Sequence, residues 1–234
     1  MPLIILSPYT APKSSSAYDT LFPSDPYSSL VSSYISYDSL PFTDSATGTS
    51  VRAVGSIPIV NGAAYFNGNT GNYIDVTSPT AFNFGTADFT WETWVTTKTL
   101  AGALFDFRRP GVATGPYPVI GHVPSYGFQV FNNGTNTIMN ASLTANKWQH
   151  VAFVRYNGVF SLYIDGINRW NAPLGAIGST GLFIGSNGFA SGGADPWSGY
   201  YDDTRITKGV ARYIANFDTA IATPAGKDYK TRPV

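Results

Sequence analysis

The feature that most constrains this chain is strand-period alternation closed by tight turns between residues 147 and 170. Trp148, His150, Ala152, Val154 and Tyr156 fall on one face of a run with the two-residue period of a β-strand. Asn157-Gly158 follows, a pair in which both positions tolerate positive φ and which therefore closes a hairpin. Val159 to Ile164 returns, Asp165-Gly166 turns the chain again, and Ile167 to Trp170 completes a three-stranded meander. The same grammar recurs elsewhere. Phe89, Trp91, Thr93 and Val95 share a strand face, Gly127–Phe131 and Thr137–Ala141 flank a turn at Asn132-Asn133-Gly134, and Gly199 to Ile206 forms a further strand. No stretch sustains a helical apolar period, so the chain is expected to be an all-β sandwich or barrel.

The 234 residues suffice for one large sandwich with short tails. Residues 1–30 carry five prolines and Ser14-Ser15-Ser16 with little alternation, and they read as an extended N-terminal arm. The arm's Leu, Ile, Phe and Tyr content predicts packing on its own sandwich or on a neighbouring subunit. The sandwich spans 31–222, and 223–234 reads as a polar tail. The run Leu3-Ile4-Ile5-Leu6 is cut by Pro8 and is too short for a signal-peptide core or a membrane span, so the mature chain is expected to begin near residue 1.

Formal net charge is zero and no block of like charge exists, which argues against nucleic-acid and membrane partners. The absence of cysteine excludes disulfides, thiolate metal sites and cysteine nucleophiles.

Four segments in series carry a resemblance. They are Gly62 to Gly68 leading into Tyr73-Ile74-Asp75-Val76; Ala87 to Val95; Lys147 to Arg155 continuing to Leu162–Gly166; and Gly199 to Ile206. In this order they resemble the laminin G-like domain of the concanavalin A-like lectin and glucanase superfamily, over roughly residues 31–220. The resemblance implies a two-sheet antiparallel jelly-roll sandwich. More narrowly, Phe42-Thr43-Asp44-Ser45 and the stretch Asp203 to Tyr213 look like laminin G-like modules of tailed-phage virion proteins. That implies a virion location, docking on other capsid or tail proteins, homo-oligomerisation and adhesion to surface glycans. A free carbohydrate-binding lectin is the alternative.

The glucanase branch of the superfamily uses two carboxylates about 5 Å apart for retaining chemistry. This chain has a single glutamate, Glu92, whose same-face neighbours are Thr90 and Trp94, so no catalytic residue is expected. His122 and His150 lack metal-ligand spacing. The resemblance leaves calcium open, with Asp44, Asp202 and Asp203 as the candidate oxygen ligands; no other cofactor is expected. For sugar binding, an aromatic platform with polar neighbours is needed at the loop tips. Tyr117, Tyr126, Trp170, Trp197 and Tyr200 are the aromatic candidates, with Asn132, Asn133, Asn187 and Asp195 as polar partners; Trp197, Tyr200, Tyr117 and Asn187 lead, and a Trp197 folded down to cap the sandwich edge is the rival reading. Arg108-Arg109 is the one paired basic site and reads as a solvated loop or a contact to an acidic neighbour.

Overall fold

The computed structural model describes residues 17–47, 49–76, 82–179, 181–189 and 193–234. Its strands, in chain order, are β1 (Val31–Ile35), β2 (Thr43–Asp44), β3 (Thr49–Ser50), β4 (Arg52–Val54), β5 (Ile59–Val60), β6 (Ala63–Asn67), β7 (Tyr73–Val76), β8 (Phe89–Val95) and β9 (Gly102–Asp106). They continue with β10 (Val119–Val123), β11 (Gly127–Asn132), β12 (Thr135–Ile138), β13 (Gln149–Tyr156), β14 (Val159–Ile164), β15 (Ile167–Pro173), β16 (Leu182–Ile184) and β17 (Ser198–Lys208). The first sheet runs β15-β14-β13-β8-β17-β6-β5, with β1 also paired to β17. The second runs β12-β11-β10-β9-β16-β7-β4, and β2–β3 forms a separate ribbon. All recorded pairings are antiparallel, and strands distant in sequence lie side by side, as in a jelly roll.

The alternation fills the space between the sheets. Trp91 and Val95 of β8, Val151 and Phe153 of β13, Leu104 and Phe105 of β9, Phe128 and Val130 of β11, and Tyr201 and Ile206 of β17 belong to one buried cluster. Within it the Phe89 and Trp91 rings stack at 4.2 Å, and Trp91 lies 4.3 Å from Phe107. The turns have the expected backbone: Asn157 and Gly158 at φ 49° and 79°, Asp165 and Gly166 at 51° and 75°, Asn133 and Gly134 at 50° and 80°.

Alternation alone would leave the outer face of the first sheet to solvent, yet every residue of β8 is buried. Residues 17–30 and the segment after β17 cover that face. Residues 17–30 are not an extended arm: they form a helical turn, α1 (Ala17–Leu21), and a 3-10 turn at Ser28–Leu30. Tyr18 and Phe22 pack there against Val31 and Tyr34. The rest of the expected arm, residues 1–16, lies outside the described residues. After β17 the chain returns across the sheet. The Phe217 N–H donates to Gly166 O at 2.9 Å, and a Cβ at Gly166 would lie 2.0 Å from Phe217 O. The expected polar tail is a strap: the Tyr229 ring stacks on Trp94 at 4.1 Å, and Ala225 N–H donates to Leu21 O. The boundaries expected at 30 and 222 therefore fall inside continuous packing. Among the described residues, no helix is long and apolar enough to cross a membrane.

Candidate functional site

Among the described residues, the outer face of the second sheet is open over β10–β12, unlike that of the first. In β10, Ile120 enters the core, and Val119, Gly121 and Val123 turn outward; in β11, Phe128 and Val130 enter the core and Gln129 and Phe131 turn outward. Gly121 leaves the sheet bare at its centre, where a Cβ would stand only 3.1 Å from Gly102 O. β12 adds Asn136, in register with Phe131. A groove of about 470 Å³ runs over this floor, walled by Arg108 and by Asn187 and Asp195 from the segment between β16 and β17.

The wall is held by a chain of polar contacts. Arg108 Nε and Nη2 donate to the Asp106 carboxylate at 3.0 and 2.8 Å, and Nη2 also donates to Asn187 Oδ1 at 2.7 Å. Asn187 Nδ2 in turn donates to Asp195 Oδ2 at 3.1 Å. Asp106 also accepts the Gly188 N–H at 2.7 Å, which ties the loop to β9. Burial pushes the Asp106 carboxyl up, against the pull of Arg108. The guanidinium stands 5.4 Å from the centre of the Phe131 ring and 5.7 Å from that of the exposed Phe189. His122 lines the groove from beneath, its ring bonded to Leu100 O at 2.6 Å and to Ser142 Oγ at 2.9 Å. Burial lowers its pKa, so the imidazole is neutral at neutral pH. Aromatic faces beside amide and carboxylate groups on an open groove can stack on the C–H face of a sugar ring and bond its hydroxyls.

Of the residues expected at a sugar site, Asn187 and Asp195 line this groove and the others do not. Trp197 is fully buried in the core, with its indole N–H donating to Thr96 O at 2.8 Å, so no ring face is free for a sugar. Tyr200 is buried on the outer face of the first sheet, between Tyr65 and Trp148. Tyr117 is half-buried and packs close to Gly115 and Gly178.

The calcium candidates are likewise separated. Asp44 accepts the backbone N–H groups of Tyr34, Ala46 and Thr47, and so caps the turn after β2. Asp202 and Asp203 are brought together by a bulge in β17, where Asp203 adopts φ 49° and both carboxylates reach the strap. Lys227 Nζ lies 3.0 Å from each and 3.0 Å from Asp38. Arg232 bonds Asp202, and the Tyr229 and Tyr34 hydroxyls bond Asp203. Burial and then the neighbouring Asp202 push the Asp203 carboxyl up to about 7. A divalent ion would have to displace an ammonium and a guanidinium, so this pair does not fit calcium. Among the described residues, no group of three or more His, Cys, Asp or Glu could hold a metal ion.

Glu92 is enclosed. Its carboxylate accepts from Arg205 Nε at 2.7 Å and from the Tyr213 hydroxyl at 2.6 Å, and it faces His150 Nε2 at 3.1 Å. Burial pushes it up, but Arg205, His150 and Arg212 outweigh burial and hold it well below the usual carboxylate range. It is an ionised structural anchor with no face to solvent.

A laminin G-like family model, described as "Concanavalin A-like lectin/glucanases superfamily", matches residues 67–211. The chain belongs to this superfamily. A search of curated protein sequences finds no match. Among solved structures, the binding domain of Paraclostridial Mosquitocidal Protein 1 superimposes with a TM-score of 0.59 at 16% identity, over 79% of this chain and 50% of that one. Domain 4 of an extracellular arabinanase from Geobacillus stearothermophilus, solved with arabinotriose, gives 0.58 at 19% identity, over 77% and 93%. Botulinum neurotoxin type C, which depends on interaction with two ganglioside molecules to enter cells, gives 0.59 at 15% identity, over 79% and 49%. At these identities the likeness is one of fold. The chain spans half the length of the first toxin relative and nearly all of the arabinanase domain.

Within the lectin/glucanase sandwich, the groove has a floor of strand residues that carry no loop-tip signal in the sequence. Phe131 and Gln129 were legible only as the outward half of a strand whose inward half is Phe128 and Val130. Arg108 read as a solvated loop residue. The signal that it is not solvated lies in Asp106-Phe107-Arg108, a carboxylate at the end of β9 and a guanidinium two residues beyond it, close enough to pair.

Proposed function

We propose that this chain is a non-catalytic saccharide-binding module that holds a glycan in the groove over β10–β12. The observation that carries this reading is the combination of the Phe131 ring with Gln129, Asn136, Asn187 and Asp195 around a sheet floor left low by Gly121. A structural relative solved with arabinotriose and another that depends on gangliosides support a saccharide as the ligand class. The burial of the single glutamate behind Arg205 and Tyr213 supports binding without turnover. The test is a glycan panel probed with the purified chain. Binding to at least one saccharide is expected, weakened roughly tenfold by Phe131→Ala. Binding that Phe131→Ala leaves unchanged, or release of reducing ends, would overturn the reading.

The setting we propose for the module is a tailed-phage virion, as a capsid-decorating or tail-fibre-associated protein docked on other virion proteins and self-associated. Its support is sequence resemblance at 42–45 and 203–213. In the latter stretch Arg205, Arg212 and Tyr213 all serve the buried network around Glu92, which gives those residues a folding role in any setting. Genes for capsid or tail parts beside this one, together with co-sedimentation of the chain with particles, are the expected results. A chain that neither self-associates nor binds particles would remove the virion setting and leave a free lectin.

A further inference from the structure

The charges around the groove bear on which saccharides it can hold, an inference that rests on the saccharide-binding reading above. Two ionised groups face or line the groove, Arg108 and Asp195, and Asp106 stands behind Arg108. An acidic sugar would need a cation to receive its carboxylate or sulfate. Among the described residues, Arg108 is the one Lys or Arg lining the groove, and it is already committed: two of its nitrogens bond Asp106, one of these also bonds Asn187, and Nη1 points to Ala113 O at 3.4 Å. Its side chain is only 7% exposed, and the pairing with Asp106 leaves no net positive charge to attract an anion. His122 lines the groove but is buried and neutral. Asp195 is different. It is exposed, it is fixed by a backbone at φ 46°, and the contact from Asn187 engages only its Oδ2. Its second oxygen is placed to accept a hydroxyl and to repel an anion.

We propose that the groove selects uncharged saccharide chains over acidic ones, with Asp195 as the residue that sets the selection. Arg108 then acts as a rigid wall and an aromatic-stacked support for Phe131, and does not serve as an anion receptor. Selection of this kind comes from a repulsive element as well as an attractive one. It is screened by salt because the repelling carboxylate stands in water.

The experiment uses pairs built on the same saccharide chain, one uncharged and one acidic: methyl-esterified and de-esterified galacturonan, and dextran and carboxymethyl-dextran. Each is titrated against the intact protein and against Asp195→Asn at low and high salt. The uncharged member of at least one pair is expected to bind, and its acidic counterpart to bind about fivefold or more weakly. Asp195→Asn is expected to narrow that gap to within about twofold, as is high salt. Acidic members that bind the intact protein as well as or better than the uncharged ones would overturn the charge selection and leave the saccharide reading standing. Failure of every chain to bind would overturn both. A gap that persists unchanged in Asp195→Asn would overturn the role of Asp195.

Discussion

At the scale of single residues, the outer face of the first sheet is held by buried charge, and its two clusters respond to pH with opposite sign. Glu92 is held below the usual range mainly by Arg205 against the cost of burial, so its contribution is present above the ordinary glutamate value of 4.5 and is lost as pH falls below it. Asp203 behaves in reverse. Its folded value of about 7 lies above the ordinary 3.8, so between these values the native protein holds a proton that the unfolded chain has released. That stability is fully present below 3.8 and is lost as pH rises through 7. Asp203→Asn is therefore expected to flatten the decline in stability between pH 4 and pH 7, as measured by urea unfolding at fixed pH steps; an unchanged slope would assign the decline to other groups. Glu92→Gln is expected to cost about 3–5 kcal/mol in the same assay, because it leaves the buried Arg205 guanidinium without its counter-charge. A loss under 1 kcal/mol would mean that the network is dispensable.

At the scale of elements, the meander from β13 to β15 was legible because three independent signals agree there: alternation, Asn-Gly and Asp-Gly. The two turns nevertheless differ in what surrounds them. A Cβ at Gly158 meets open space, whereas one at Gly166 strikes Phe217 O at 2.0 Å. Gly158→Ala is expected to cost roughly 1 kcal/mol from positive φ alone, and Gly166→Ala clearly more, because the segment that covers the sheet must also shift. Equal losses in thermal unfolding would contradict the placement of that segment. The covering segments themselves were not legible. Tyr18, Phe22, Phe217 and Tyr229 belong to no sustained strand or helix period, since each reaches the sheet from a single helical turn or an irregular stretch, and only tertiary contact reveals that they pack there. The same reason explains why 17–30 read as an extended arm.

At the scale of the whole molecule, the described residues close one outer face of the sandwich and leave the other open over β10–β12. Strand pattern predicted two sheets, but it could not say which outer face residues 17–30 and the strap would cover. That choice decides where a ligand can sit. Trp197 illustrates the difficulty: after a run of small residues a lone Trp reads as a platform or as a ring folded down on the sandwich, and the ring is buried in the core. Asn187, the leading candidate that does reach the groove, does so because its side chain bridges Arg108 and Asp195. The open face makes the account testable by mapping. The most direct measurement is the change in backbone amide NMR signals when a saccharide found on the glycan panel is titrated in. Perturbations concentrated at Arg108, at 119–136 and at the described residues between 187 and 195 are the expected result. Perturbations confined to the strap and to the Trp94–Trp148 face of the first sheet would contradict it.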